Sequence, residues 1–379
     1  MKRERRMRPV IKKRAAYLCN VKLFLLVLVV LGHSMEQTWM KGNLLYRLIY
    51  LFHMPLFAFV SGLHLKTMKS CLRQARTALL IYLLIQGGLV LLDRSQTLTT
   101  PYWHLWYLLS LCWWSLLCGG CAVLLEHRPG CWEVILLISS VAAALGCGLL
   151  PMGRFLSMSR TVVFFPYVLM GMRCPVGLQD GPDRRTRRRL LAVSLSGALP
   201  VCIVLREAPY AFLYQAEGYH SYRMAPVEGM LLRLLCFAAA ISLGAFVLAL
   251  IPAKQFSFTK VGGDTLPTYL LHVCFLPLLK TFWPGAGIGG LGLFSAAVVC
   301  LLWELFRWVR PPYAVVQERN VTFPLTKPWF PLIIKASTGQ GALQGGNDHV
   351  RTHWSGGTQY ERDKNQPDPE PGWDGEQQD

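Results

Sequence analysis

An imidazole and a carboxylate three residues apart close the first long apolar run of this chain. LFLLVLVVLGHSMEQ, residues 23–37, places His33 and Glu36 after a stretch dominated by leucine and valine. On a helix, positions three apart share a face, so the Glu36 carboxylate can hold one imidazole nitrogen and leave the other free to take a proton. Three further groups stand in similar surroundings: His53 and Pro55 in FHMPLFAFVSG (52–62), Tyr269 and His272 in LPTYLLH (266–272), and Arg73-x-x-Arg76 at the head of another apolar run. A proline inside a helix removes a backbone bond and kinks it, opening space that a polar group can line. Guanidinium pairs suit phosphate. Each group also has a plain structural role open to it: a histidine can bond a neighbouring helix, kinks are common in membrane helices, and arginines snorkel to interfaces. Three histidines in three separate apolar runs, with a basic pair beside one of them, favour proton chemistry. HLWYLLSLCWW (104–114) reads instead as an interfacial aromatic belt.

The elements that must position these residues follow from composition. Apolar residues make up 53% of the 379 and charged ones only 16%, too few charges for a soluble protein of this length. The apolar residues gather into about ten blocks, most of them near the ~20 residues that span a bilayer: 18–35, 44–64, 77–92, 102–125, 132–150, 161–173, 189–206, 230–251, 265–283 and 286–309. The expected fold class is therefore all-α, a polytopic membrane protein of about ten transmembrane helices. Lysine and arginine concentrate in the amino-terminal segment 1–16, in the second loop (Lys66, Lys69, Arg73, Arg76) and in the sixth (Arg184, Arg185, Arg187, Arg188, Arg189). The positive-inside rule then places both termini in the cytoplasm. A membrane domain over 17–310 would be followed by a cytoplasmic tail, 311–379, whose Gly, Gln, Asp and Pro content predicts disorder.

The formal charge of +18 matches this loop asymmetry and anionic lipid head groups rather than nucleic acid, because the basic residues are divided among loops. The basic start followed by an apolar run is expected to be an uncleaved first helix, since no small-residue cleavage site follows. Twelve cysteines stand singly, and Cys118-Gly-Gly-Cys121 has redox spacing only within an apolar helix, so neither a disulfide framework nor a metal site is expected. The sequon at Asn320 falls on the cytoplasmic side and predicts no glycan. No internal repeat points to a transporter built from two halves.

Taken in order, VVLGHSME, YLFHMPLFAFVSG, HLWYLLSL, SRTVVFFPYVLMG and LPTYLLH resemble the acyltransferase family 3 membrane O-acyltransferases, most closely the fucose 4-O-acetylase-like branch, over roughly residues 17 to 310. The resemblance implies transfer of an acyl group, usually acetyl, from cytoplasmic acyl-CoA to a sugar hydroxyl. It implies that His33, the histidine of the Gly-His pair, is essential, and that Arg73 and Arg76 serve the acyl donor. Where the family often carries an acid near the cytoplasmic end of the first helix, this chain reads Tyr17-Leu-Cys-Asn20-Val-Lys22.

Elementary chemistry leads to the same roles. A sugar hydroxyl needs a base to take its proton as it attacks a thioester. His33 is placed to be that base with Glu36 orienting it, and His53 or His272 to stabilise the oxyanion or position the acceptor. At ~1.5 Å per residue His33 lies some 20 Å from the cytoplasmic end of its helix, so the donor's pantetheine arm must reach inward. The expected acceptor is a hydroxyl of a cell-envelope sugar or glycan at the outer face of a bacterial plasma membrane, near the tyrosine-rich loop 206–229. A transporter or flippase with the histidines as proton relay is the alternative from another class. A sensory membrane domain without activity is a third.

Overall fold

In the computed structural model the described residues are 2–127, 130–174 and 180–309, with side chains described for 16–127, 130–174 and 180–306. All belong to one compact unit. The tail 311–379 and Asn320 lie outside the described residues, as do the side chains of the basic segment.

Among the described residues every regular element is helical. The long helices are α1 (Lys2–Glu36), α2 (Leu44–Gly62), α3 (Met68–Leu92), α4 (Trp106–His127), α5 (Cys131–Cys147) and α6 (Met158–Arg173). They continue with α7 (Arg184–Ser196), α8 (Ala198–Glu207), α9 (Pro226–Leu250), two short pieces α10 (Leu266–Leu271) and α11 (Leu276–Phe282), and α12 (Ile288–Val309). Local signals set several starts. Asn43 accepts from the Tyr46 amide at 2.8 Å at the head of α2, Thr67 and Ser70 form a capping box on α3, and Asp183 accepts from the Thr186 amide at 2.7 Å on α7.

Seven of these helices are long and apolar enough to cross a membrane, eight if the pair α7 and α8, bent by 41°, counts as one. The chain is a membrane-embedded helical protein. Leucines on α3 such as Leu80, Leu83, Leu84 and Leu91 are exposed, which suits hydrocarbon rather than water. Against the expected blocks, the fifth is a 17-residue helix and the ninth is broken into α10, a 3-10 turn and α11, with Pro267 and Pro277 at the starts of the two pieces. The break in the seventh falls at Gly197, where a Cβ would stand 2.2 Å from the Ser242 side chain, so only glycine permits this approach. Two boundaries differ usefully. α3 begins well before residue 77, so Lys69, Arg73 and Arg76 are helical rather than in a loop, and Arg184 to Arg189 open α7.

Two packings hold the site. α2 and α6 cross at glycine: a Cβ on Gly62 would lie 2.0 Å from the Val168 carbonyl oxygen, and one on Gly171 2.0 Å from that of Phe59. Such contacts let helix backbones approach where no hydrophobic effect drives them together. α1 lies against α2, α12 and the 3-10 segment Ser257–Gly263. There Asn20, buried, donates to the Pro252 and Lys254 carbonyls at 2.8 and 2.9 Å and accepts from Thr259 Oγ1 at 2.8 Å.

Candidate functional site

One turn before the end of α1, His33 Nδ1 lies 3.0 Å from Glu36 Oε2. The i,i+3 spacing thus produces the pair read from the sequence. The other carboxylate oxygen, Oε1, accepts from Tyr46 Oη at 2.8 Å, and Tyr46 Oη is 2.5 Å from Tyr214 Oη. Since Tyr46 donates to Glu36, Tyr214 is the donor to Tyr46, and the chain of bonds runs Tyr214 to Tyr46 to Glu36. Tyr50 Oη adds a contact of 3.2 Å to His33 Nδ1. With Nδ1–H directed at a carboxylate, the lone pair of the neutral imidazole is on Nε2. Among the described residues no hydrogen bond to His33 Nε2 is found, and His33 lines an open space.

That space is a cavity of about 610 Å³ lined by His33, Glu36, Tyr50 and His53 on the α1–α2 side. Its other walls come from residues 95–103, from Gly153, Arg154, Ser157 and Arg160, and from Leu213, Tyr214 and Ala216. Four connections meet here, each pinned by buried polar side chains or backbone bonds. Gln86 on α3, fully buried, donates to the Thr97 and Thr100 carbonyls and accepts from the Tyr102 amide, holding the 95–102 loop. The Leu156 amide donates to the Thr99 carbonyl. Leu156 and Ser157 adopt positive φ of 46° and 58°, a conformation costly for residues with a Cβ and one that clusters at functional sites. The 206–229 loop folds inward instead of standing in solvent: Phe212, Leu213 and Tyr219 are buried, and Tyr214 reaches the Glu36 network.

α2 carries Tyr46, Tyr50 and His53 at helical spacing on the face turned to α1, and Gly32 allows the approach, because a Cβ there would be 3.1 Å from the Tyr50 ring. His53 Nδ1 donates to the Ile49 carbonyl at 2.7 Å, which leaves Nε2 as an acceptor toward the cavity. In this tautomer it suits an acceptor hydroxyl, not an oxyanion.

His272 is placed differently from its expected role. Its ring stacks on that of His33 with centroids 5.4 Å apart and planes 19° apart, and its Nδ1 is bonded to the Tyr269 carbonyl at 2.7 Å. It is fully buried, does not line the cavity, and touches His33 rather than anything bound there. The Trp103 ring meets that of His33 edge-on with centroids 4.5 Å apart. Arg73 and Arg76 do not line the cavity either: they occupy the early turns of α3, whereas the loop after α3 forms the cavity wall. Arg73 precedes Leu92 by nineteen residues, about 28 Å along the axis at ~1.5 Å per residue.

Sequence reasoning missed Tyr46, Tyr214, Trp103, Arg160 and His104. The Tyr46, Tyr50, His53 stripe was available as a spacing of four and three on α2. Tyr214 carried no local signal, because loop folding alone brings it in, and Arg160, although it stands in SRTVVFFPYVLMG, is brought in by the packing of α6. His104, read as part of an aromatic belt, is buried with its ring 6.1 Å from that of His272.

Cys118 and Cys121 form no disulfide among the described residues. Comparison of the chain with models of known families, with characterised proteins and with solved structures finds no match. The functional reading therefore rests on the motifs and on this geometry.

Proposed function

We propose that the protein is a membrane O-acyltransferase that moves an acyl group, acetyl in the simplest case, from acyl-CoA to a hydroxyl of a cell-envelope sugar. The observation that carries the reading is the His33–Glu36 pair, with one imidazole nitrogen held by the carboxylate and the other facing a cavity large enough for a sugar and an acyl arm. His33 Nε2 takes the hydroxyl proton as the sugar oxygen attacks the thioester carbonyl. The tetrahedral intermediate collapses by breaking the C–S bond, and the proton held on His33 passes to the departing thiolate. Glu36 stabilises the imidazolium that exists between the two transfers, as the carboxylate of a hydrolase triad does. His53 accepts a hydrogen bond from the acceptor. Trp103 gives an apolar ring against which a sugar packs.

In this proposal ten segments cross the plasma membrane of a bacterium, both termini are cytoplasmic, and the loops lining the cavity lie at the outer face. Arg73 and Arg76 hold the donor's phosphates on the early turns of α3, and the acyl-bearing pantetheine arm reaches inward from them toward His33. Neither a metal nor a further cofactor enters the scheme.

One observation favours a second reading. His33, His272 and His104 stand ring beside ring, only His33 of the three lining the cavity, an arrangement suited to proton relay in a transporter. Purified protein supplied with labelled acetyl-CoA and envelope glycan separates the two. Label transfer that is lost in His33→Ala, with folding retained, is the expected result, and the loss should be about 10²- to 10⁴-fold. Absence of donor hydrolysis and of transfer, with proton-coupled flux of a solute into vesicles, would establish the transporter instead.

A further inference from the structure

The lining of the cavity is rich in cations. Lys41, Arg154 and Arg160 line it, and the one acidic lining residue, Glu36, has its two oxygens committed to His33 and Tyr46. Arg154 is 62% exposed and paired with Glu217 at 3.3 Å, which accounts for its charge. Arg160 is different. It stands in the first turn of α6, its guanidinium carbon 4.7 Å over the Trp106 ring, and its Nε donates to the Tyr214 carbonyl at 3.0 Å. Among the described residues no carboxylate pairs with it: the ion pairs are His33–Glu36, Arg154–Glu217, Arg173–Glu133 and Arg206–Glu207. Among the described residues no hydrogen bond to its two terminal nitrogens is found.

A guanidinium held over an indole, with Nε already satisfied, is a fork anchored at one nitrogen that still has donors for an oxyanion. An uncompensated charge in so enclosed a place is costly, and a bound anion is what offsets it. The strained backbone at Leu156 and Ser157 immediately precedes Arg160 and fixes the start of its helix against the cavity.

We propose that Arg160 forms an anion subsite of the acceptor pocket, so that the acceptor is an acidic glycan whose carboxylate or phosphate sits on Arg160 while a hydroxyl of the same or the adjoining sugar faces His33. The proposal rests on the acyltransferase reading for the role of the bound glycan, but not for the binding itself.

Two measurements on the full-length protein in lipid nanodiscs test it. The first is direct binding of a uronic-acid disaccharide, a sugar 1-phosphate and the matching neutral disaccharide, without acyl donor. At least one charged sugar should bind about 10- to 100-fold more tightly than the neutral one, the scale of a hydrogen bond to a charged group, and which of the two does so identifies carboxylate or phosphate. Arg160→Gln should remove that preference. Arg160→Lys, which keeps the charge without the fork, should keep part of it and carries the comparison if the glutamine variant does not fold. The second is steady-state transfer: Arg160→Gln should raise the KM for the charged acceptor by a similar factor and leave the KM for acetyl-CoA unchanged.

Equal binding of charged and neutral sugars by the wild type, or a rise in the KM for acetyl-CoA in place of the acceptor, overturns the subsite. Preferential binding of a charged sugar with no acyl transfer to it keeps the subsite and removes the acyltransferase reading. Efficient transfer to neutral and charged glycans alike does the reverse.

Discussion

Replacing Glu36 with glutamine isolates the charge of the pair from its shape. In the wild type the carboxylate accepts from His33 Nδ1 at 3.0 Å and from Tyr46 Oη at 2.8 Å. A glutamine at the same place can keep both contacts as neutral bonds. Its carbonyl accepts from Nδ1–H, and its amide donates to Tyr46, which then turns its own hydroxyl toward Tyr214, 2.5 Å away. The tautomer of His33 is preserved and Nε2 still carries the lone pair. What disappears is the charge-assisted part of the bond to the imidazolium formed during transfer. Hydrogen bonds to charged groups contribute about 1.5–3 kcal/mol against roughly 1 for neutral ones, so the loss felt in the transition state is about 0.5–2 kcal/mol. At ~1.4 kcal/mol per decade this is a fall in kcat of about 2- to 30-fold. Glu36→Ala also leaves Nδ1 free to rotate and Tyr46 without its acceptor, and should fall well below the glutamine variant, toward His33→Ala. The assay is initial-rate transfer of labelled acetyl from acetyl-CoA by protein in nanodiscs, with thermal unfolding of each variant measured in parallel. A glutamine variant as inactive as His33→Ala, with unfolding unchanged, would refute the orienting role and require Glu36 itself to move the proton. An alanine variant as active as wild type would remove Glu36 from the chemistry altogether.

Asn20→Asp should destabilise the protein by about 2–4 kcal/mol, since an aspartate has no donors for the Pro252 and Lys254 carbonyls and buries a charge between them; a Tm within a degree of wild type would count against the pin. Gly171→Ala drives a methyl into the Phe59 carbonyl and should cost about 1–3 kcal/mol as α2 and α6 separate, visible as a lowered Tm and weaker acceptor binding in the cavity beside α2. Removing the charges of Arg73 and Arg76 should raise the KM for acyl-CoA much more than that for the acceptor, with lysine restoring part of it; equal effects on both substrates would assign the pair to lipid.

Asn20 shows how far a motif carries. The resemblance to acyltransferase family 3 leads one to look for an acid near this position, and the side chain there is instead a two-way hydrogen-bonding pin that only an amide can form. His272 shows the same limit from the other side: its type and place in LPTYLLH were legible, but stacking behind His33, outside the cavity, depends on how the broken segment α10–α11 turns.

By itself the sequence determined that this is a helical membrane protein, because hydrocarbon tolerates few charges and demands paired backbone groups, and both demands are written in composition and block length. It determined the His33–Glu36 pair for the same reason of locality, since a spacing of three on a helix is a contact whatever the fold. Only the tertiary structure decided which distant groups join that pair. Tyr46 lies ten residues from Glu36 and Tyr214 another 168 beyond Tyr46, and their bonds exist because Gly32 admits α2 and the 206–229 loop folds inward over the cavity. The tertiary structure also set Arg160 in the cavity wall. Periodicity specifies what lies on one face of one helix; which helix ends and loops share a cavity is fixed by packing between elements far apart in the chain, and no local pattern records it.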